Sequence, residues 1–509
     1  MEASAGVKAG ARVTAKTKTK VAVVGAGIGG LCAAIELAAA GYDVEVFESA
    51  AEPGGKMRQL PVAGRGVDAG PTVFTMRWVF DGLLAAAGTT LESIVTLQQA
   101  DVLARHAWTQ GGRLDLHADR EQSAVAIAEF AGAADAQGYR DFCARSEDIF
   151  TTLREPFIAA QRPGMLALTR RVGFGRIDAL WRTAPWRSLW SALGDHFTDP
   201  RLQQLFGRYA TYVGSSPLSA PATLMLIAHV EQEGVWYVDG GMRGFALALA
   251  RVLEGLGGKL HCGAAVEEIL ARDDRVSGVR VAGSERAADA VVFNGDVSAL
   301  GTGLLGAAGQ RAVQAVPASA RALSAVTFCA VATVRGFPLH YHNVFFAPDY
   351  PAEFQAIFEG GGICATPTVY VCAADRAQGG EPDGPERLLL LINAPADGDH
   401  AARDDATRQR LLDHTLGMLA DCGAELDLAL EDAVVTDPAG YAARFPGSGG
   451  SLYGRANHGM NASFKRPGAR SALPGLYLAG GSAHPGAGVP MAAMSGRLAA
   501  AALLDDSDR

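Results

Sequence analysis

Along residues 20–48 the spacing of apolar positions changes twice. KVAVV is a continuous apolar run, IGGLCAAIELAA carries its large apolar residues at helical spacing, and YDVEVF alternates. Strand, helix and strand in that order predict a βαβ unit. Two later stretches echo it. Residues 234–270 predict a turn, a helix and a strand, followed by a hairpin around Asp273 and Asp274 and an apolar strand within ADAVVFNGD. Near the carboxyl end, residues 476–479 predict a strand, then comes the loop GGSAHPGAGVP, then a helix from about Met491. Three separated βα pieces predict one domain interrupted twice: residues 20–80, 231–304 and 436–509 form it, and 81–230 and 305–435 build an inserted lobe.

Glycines punctuate the first unit. Gly25, Gly27 and Gly30 form G-x-G-x-x-G where strand meets helix. The first allows a tight turn, the second lets a pyrophosphate approach the backbone, and the third lets helix pack on strand. In a chain with 62 glycines the bare motif carries little. Glu48, at the end of the second strand, strengthens it, because a carboxylate there takes both hydroxyls of an unphosphorylated ribose. Gly54, Gly55 and Lys56 follow, then Asp68, Gly70 and Pro71. A second glycine pair with a cation suits FAD, a longer cofactor, lying extended across the domain. Val266, in the strand of the second piece, is expected along the same cofactor, and so are Gly480, Gly481, Gly488, Val489, Pro490 and Met491 in the last loop and helix start. There glycines keep side chains off a flat ring, and a helix N-terminus favours negative charge. His484 in that loop is a weak catalytic candidate, a buttress for the ring or a filler of the turn.

Composition narrows the class. Hydrophobic residues make up 49% and charged ones 19%, as in a globular enzyme, and a net charge of -9 argues against nucleic acid as a partner. The cysteines (Cys32, Cys143, Cys262, Cys329, Cys364, Cys372 and Cys422) are odd in number and never form C-x-x-C, which suggests neither a disulfide framework nor a zinc cage. His340 and His342, in LHYHNVFF, would share a strand face, but no further ligand spacing accompanies them, so no metal is expected. The leader, residues 1–19, lacks the apolar core of a signal peptide. No uncharged apolar stretch reaches the roughly 18 residues of a membrane span.

Residues 150–190 stand apart. They hold seven arginines against Glu155 and Asp178, and Trp181, Trp186 and Trp190 are half of the tryptophans. Arginine beside tryptophan suits a lipid headgroup layer, so Trp181, Arg182, Trp186, Arg187 and Trp190 are expected at a membrane surface, with the protein peripheral on its cytoplasmic side.

These motifs carry a resemblance. The chain is similar to the bacterial phytoene-desaturase type of carotenoid desaturase, within the amine-oxidase-like FAD superfamily, through GAGIGGLCAA with Glu48, Gly54-Gly55-Lys56, Asp68-x-Gly70-Pro71, the GGM at 240–242, HNVFF and HPGAGVP. Within that family it most resembles the 1-hydroxycarotenoid 3,4-desaturases, through GPTVFTMRWVFD, LFGRYATYVG, FNGD and LAGGSAHPGAGVPMA. The family usually carries Gly and Thr where this chain has Ser482 and Ala483, which leaves that threonine's hydrogen bond open. Amine oxidases proper often place an acid in this loop, and none stands here.

The resemblance implies an α/β fold, a discontinuous Rossmann-like FAD-binding domain of the glutathione-reductase or amine-oxidase type with an inserted substrate lobe of mixed sheet and helices. It implies an acyclic carotenoid substrate bearing a 1-hydroxyl or its methyl ether. The expected chemistry is hydride transfer to flavin N5 and proton loss, with oxygen or a membrane quinone taking the electrons. The rival readings are a phytoene desaturase, an amine oxidase on a soluble substrate, and a non-enzymatic isoprenoid escort protein.

Overall fold

The computed structural model describes residues 18–377, 379–400 and 402–508, so most of the expected leader lies outside the described residues. At its centre is a five-stranded parallel sheet in the order Leu476–Leu478, Ala290–Phe293, Lys20–Val24, Asp43–Phe47, Lys259–His261. Val23 lies opposite Val46 on one side and Val292 on the other, and Val292 lies opposite Tyr477. Strands distant in sequence thus share one register, and their Val-rich runs are buried on both faces as a covered parallel sheet requires.

Helix Ile28–Ala39 packs on that sheet and against the last helix, Val489–Ser507. The helices meet closely because Gly496 has no side chain: a Cβ there would lie 2.0 Å from the carbonyl oxygen of Gly29. A three-stranded antiparallel sheet, Val266–Arg272, Arg275–Val281 and Ser284–Ala287, flanks this core. Its first hairpin turns at Asp273 and Asp274, both with positive φ (50° and 56°), the twist a two-residue hairpin needs.

The second layer is a seven-stranded mixed sheet in the order Val434–Thr436, Ser324–Ala332, Glu386–Ala394, Val369–Ala373, His342–Phe346, Val102–Trp108, Arg113–His117. Helices from Arg120 to Gln232 cover one of its ends. Trp108, buried at that junction, donates from Nε1 to Gln204 Oε1 at 2.8 Å, which ties sheet to helices.

Candidate active site

One cavity of about 800 Å³ runs between the two sheets. Its walls include Gly25, Gly27, Glu48, Gly55, Lys56, Gly70, Val266, Gly480, Gly481, Gly488, Val489, Pro490 and Met491. Of the residues expected from sequence at the cofactor, Gly30 alone is not on the wall. It does the third glycine's job instead: a Cβ on it would lie 2.0 Å from Gly25 O, so the helix sits directly on the strand end.

One carboxylate ties the first glycine turn to the loop that leads to the second. Glu48, 6% exposed, accepts from the Ala26 N–H at 2.7 Å through Oε2 and from the Ala50 N–H at 2.8 Å through Oε1. Gly54 N–H donates to Ala26 O at 2.9 Å, which holds the second glycine pair beside the first. Lys56 is turned inward rather than into solvent. Its Nζ donates to Leu452 O at 2.5 Å and lies 5.0 Å from the Phe445 ring centre. Burial lowers its pKa, and the Asp296 charge works against that shift. Gly70 packs so tightly that a Cβ would lie 1.8 Å from Lys56 O.

Asn294 was not singled out in the sequence, and it is the hub of the cradle. Its Nδ2 donates to Gly25 O at 3.2 Å, and Cβ atoms on Gly27, Gly29, Gly30 or Gly480 would all lie within 3.0 Å of its side chain. The FNGD motif contains it, but only the convergence of strand ends gives it this role.

The last loop runs along the same cavity. Gly480 (φ 96°) and Gly488 (φ 106°) adopt backbone that favours glycine, and the helix begins at Val489, two residues ahead of expectation, with Pro490 in its first turn. Ser482 Oγ accepts from the Val297 N–H at 3.0 Å, so the residue that departs from the family pattern is itself hydrogen-bonded. Arg466, fully buried, braces the loop by donating from Nη1 to Gly481 O and from Nη2 to Arg455 O, each at 2.7 Å. Burial pushes its pKa down to about 10.

His484 is not on the cavity wall. Its Nε2 donates toward Phe157 O (2.9 Å) and Ala160 O (3.0 Å), and its ring meets Phe157 edge-on at 4.8 Å. Burial lowers its pKa to about 4, so it stays neutral. Placed there, it joins the last loop to the helical cover. Residue type and position alone gave no sign of which way the ring turns.

The helical cover supplies the cavity's other end. Met165, Leu168, Leu180, Pro185 and Met460 line it, and because Met165 and Met460 are about half exposed the cavity reaches the surface there. Around that mouth Leu166 (77% exposed), Phe174 (64%), Trp181 (64%) and Trp186 (50%) face outward, and the two tryptophan rings pack together at 4.5 Å, tilted by 59°. Three of the residues expected at a membrane surface are otherwise engaged. Arg182 pairs with Asp148 at 2.9 Å and with Asp178, Arg187 pairs with Asp195, and Trp190 lies against Gly207 and Tyr350. Arg162, Arg170, Arg171 and Arg176 of the same segment are exposed and pair with no carboxylate among the described residues, so apolar and cationic groups share this face. No helix among the described residues is long and apolar enough to cross a membrane.

His340 and His342 do not share a strand face. His340 precedes the strand, 3.7 Å from Asp115, whereas His342 is buried within it and bonds Tyr370 Oη through Nδ1 at 2.7 Å. No group of residues that could hold a metal occurs among the described residues.

Comparison with known proteins fits this geometry. The model of the flavin containing amine oxidoreductases matches residues 28–504. The chain belongs to that family. Hydroxyneurosporene desaturase of Rubrivivax gelatinosus is 51% identical over 96% of this chain and 94% of its own length. The protein of the same name from Cereibacter sphaeroides is 46% identical over 96% and 98%. This amine-oxidoreductase chain therefore lies among the carotenoid desaturases. Its fold is shared with putrescine oxidase bound to putrescine, at a TM-score of 0.59, 14% identity and coverage of 97% of this chain and 99% of that one. FAD is its cofactor, and the cavity suits it: a cradle bare of Cβ atoms at Gly25, Gly27, Gly480 and Gly488, a backbone-held carboxylate at one end and a helix N-terminus at the other.

Proposed function

We propose that this protein is a peripheral membrane desaturase that forms the C3–C4 double bond of an acyclic carotenoid bearing a 1-hydroxyl or its methyl ether. The single observation that carries the reading is continuity: one cavity joins the glycine cradle and Glu48 to a largely apolar passage ending among exposed Met165, Met460, Trp181 and Trp186. In this assignment residues 20–80, 231–304 and 436–509 hold the cofactor, and 81–230 with 305–435 hold the polyene.

FAD, when bound, supplies a hydride acceptor. The chain's own groups do the rest. Glu48 holds the ribose hydroxyls, Lys56 adds positive charge, and the free N–H groups that open the helix Val489–Ser507 stabilise negative charge beside them. Leu153, Ile227, Val230 and Leu389 line the passage and keep water from a polyene cation. The exposed aromatic rim draws the insoluble substrate from a bilayer without a passage through water. An intact cradle opposes the escort-protein reading.

The test is to feed 1-hydroxyneurosporene and phytoene separately to FAD-loaded, liposome-bound protein and compare products. A product of 1-hydroxyneurosporene with one more conjugated double bond is expected. Turnover of phytoene alone overturns the assignment in favour of a phytoene desaturase.

A further inference from the structure

The apolar passage contains a polar island outside the glycine cradle. Arg208, Tyr212, Glu231, Tyr370 and Thr72 all line the cavity, alongside Ile227, Val230, Leu389 and Leu391. Tyr212 and Tyr209 donate to the two oxygens of Glu231, each at 2.7 Å. Tyr370 Oη is shared with Thr72 Oγ1 at 2.6 Å and with His342 Nδ1 at 2.7 Å. The tyrosines and the glutamate are thus satisfied within the protein.

Arg208 is not. It makes one hydrogen bond among the described residues, from Nη1 to Tyr212 Oη at 3.0 Å, and otherwise lies over the rings of Tyr212 and Tyr370, 5.0 and 5.5 Å from their centres. A guanidinium carries five N–H donors and no acceptor, so most of its capacity is unused at the wall of the passage. A passage built for hydrocarbon alone has no use for an arginine, and desolvating one without partners is costly. Glu231, reached through Tyr212, offsets the charge without occupying those donors.

We propose that Arg208 is a specificity-determining residue that donates hydrogen bonds to the oxygen on the terminal carbinol carbon of the carotenoid. The assignment rests on the function proposed above and supplies its recognition element. Two features favour it. The island adjoins the cofactor end of the passage, because Thr72 follows directly on the Gly70–Pro71 turn that packs against Lys56. One carbon separates the carbinol carbon from C3, so an oxygen-binding group has to lie there and not at the far end. Donors without acceptors also fit both an alcohol and a methyl ether, whose shared feature is an acceptor oxygen. The motif LFGRYATYVG, which carries the likeness to hydroxycarotenoid enzymes, contains Arg208, Tyr209 and Tyr212, and the function of its polar residues is thereby explained.

The test compares binding and turnover of 1-hydroxyneurosporene, its 1-methoxy ether and neurosporene by FAD-loaded protein in detergent micelles. The wild type is expected to bind both oxygenated carotenoids roughly 10- to 100-fold more tightly than neurosporene, the range for a hydrogen bond from a charged donor. Arg208→Met, with flavin spectrum and melting temperature as folding controls, is expected to bring that ratio close to one, and Arg208→Lys to keep most of it. If Arg208→Met does not retain flavin, Tyr212→Phe takes its place, with an expected loss of several-fold in the same ratio. A wild type without preference, a Met variant that keeps the preference, or a variant that weakens all three carotenoids alike overturns the proposal. A wild type that prefers the oxygenated carotenoids yet desaturates none of them sinks the proposed reaction and leaves the oxygen-binding site standing.

Discussion

At the scale of single residues, neighbouring glycines of one motif differ in what they tolerate. A Cβ on Gly27 would meet only Asn294 Nδ2, at 3.0 Å, and otherwise project along the cavity wall, whereas one on Gly30 would strike Gly25 O at 2.0 Å. Gly27→Val is therefore expected to leave a folded protein without FAD, seen as loss of the flavin absorption with an unchanged denaturant midpoint. Gly30→Ala is expected to lower stability by about 1–3 kcal/mol, since main chain has to move to admit one methyl, and the denaturant midpoint reports it. The glycine fingerprint and Glu48 were legible in the sequence because the constraints on them are local. Asn294, Arg208, Arg466 and the orientation of His484 were not. Asn294 acts on Gly25, 269 residues away, and His484 on Phe157, 327 residues away, and no local pattern records such a partner.

At the scale of elements, the short helices Met165–Val172 and Ile177–Arg182 show what a composition window leaves out of an expected lipid-facing surface. A window of residues counts arginines but not their partners, and Asp148 and Asp195 consume Arg182 and Arg187. Leu166, Phe174, Trp181 and Trp186 face outward together with Arg170, Arg171 and Arg176, while Trp190 packs inward. Each large apolar side chain transferred from water contributes on the order of 1.5–3 kcal/mol. The combined change of Leu166, Phe174, Trp181 and Trp186 to Ser is thus expected to cut liposome partitioning by at least about 100-fold, measured by co-sedimentation, with the flavin spectrum intact. Trp190→Ser alone is expected to lower stability and leave partitioning as it was. Retained partitioning in the fourfold variant would put the lipid-facing surface elsewhere. The central strands were easier to read from sequence, because apolar runs buried on both faces need no knowledge of neighbours, and the final helix was misplaced by two residues only because Pro490 fits its first turn as readily as the loop before it.

At the scale of the whole molecule, packing two sheets and a helical cover around one cavity leaves several histidines without water. Burial lowers the pKa of His106 and His342 to about 3 and that of His484 to about 4, the Arg208 charge adding to the effect on the first two. His196, His229 and His458 shift the same way, also chiefly through burial. In the unfolded chain these rings take up protons near pH 6.5, and in the folded protein they do so only well below it. Between those values the unfolded state binds more protons, so stability falls as pH drops from about 6.5 toward 4, by up to about 1.4 kcal/mol per pH unit for each ring held neutral. Between pH 6.5 and 5 few carboxylates of the unfolded chain titrate, whereas Asp68, Glu231, Glu233 and Glu353, raised chiefly by burial, work against the histidines where they take up protons. Urea midpoints across that interval are expected to fall steadily for the wild type. In His484→Gln, which keeps a donor for the carbonyls of Phe157 and Ala160, the slope is expected to be shallower by about one proton's worth. An unchanged slope would mean that His484 is protonated where it lies, and its place as a neutral strut between the last loop and the helical cover would be lost.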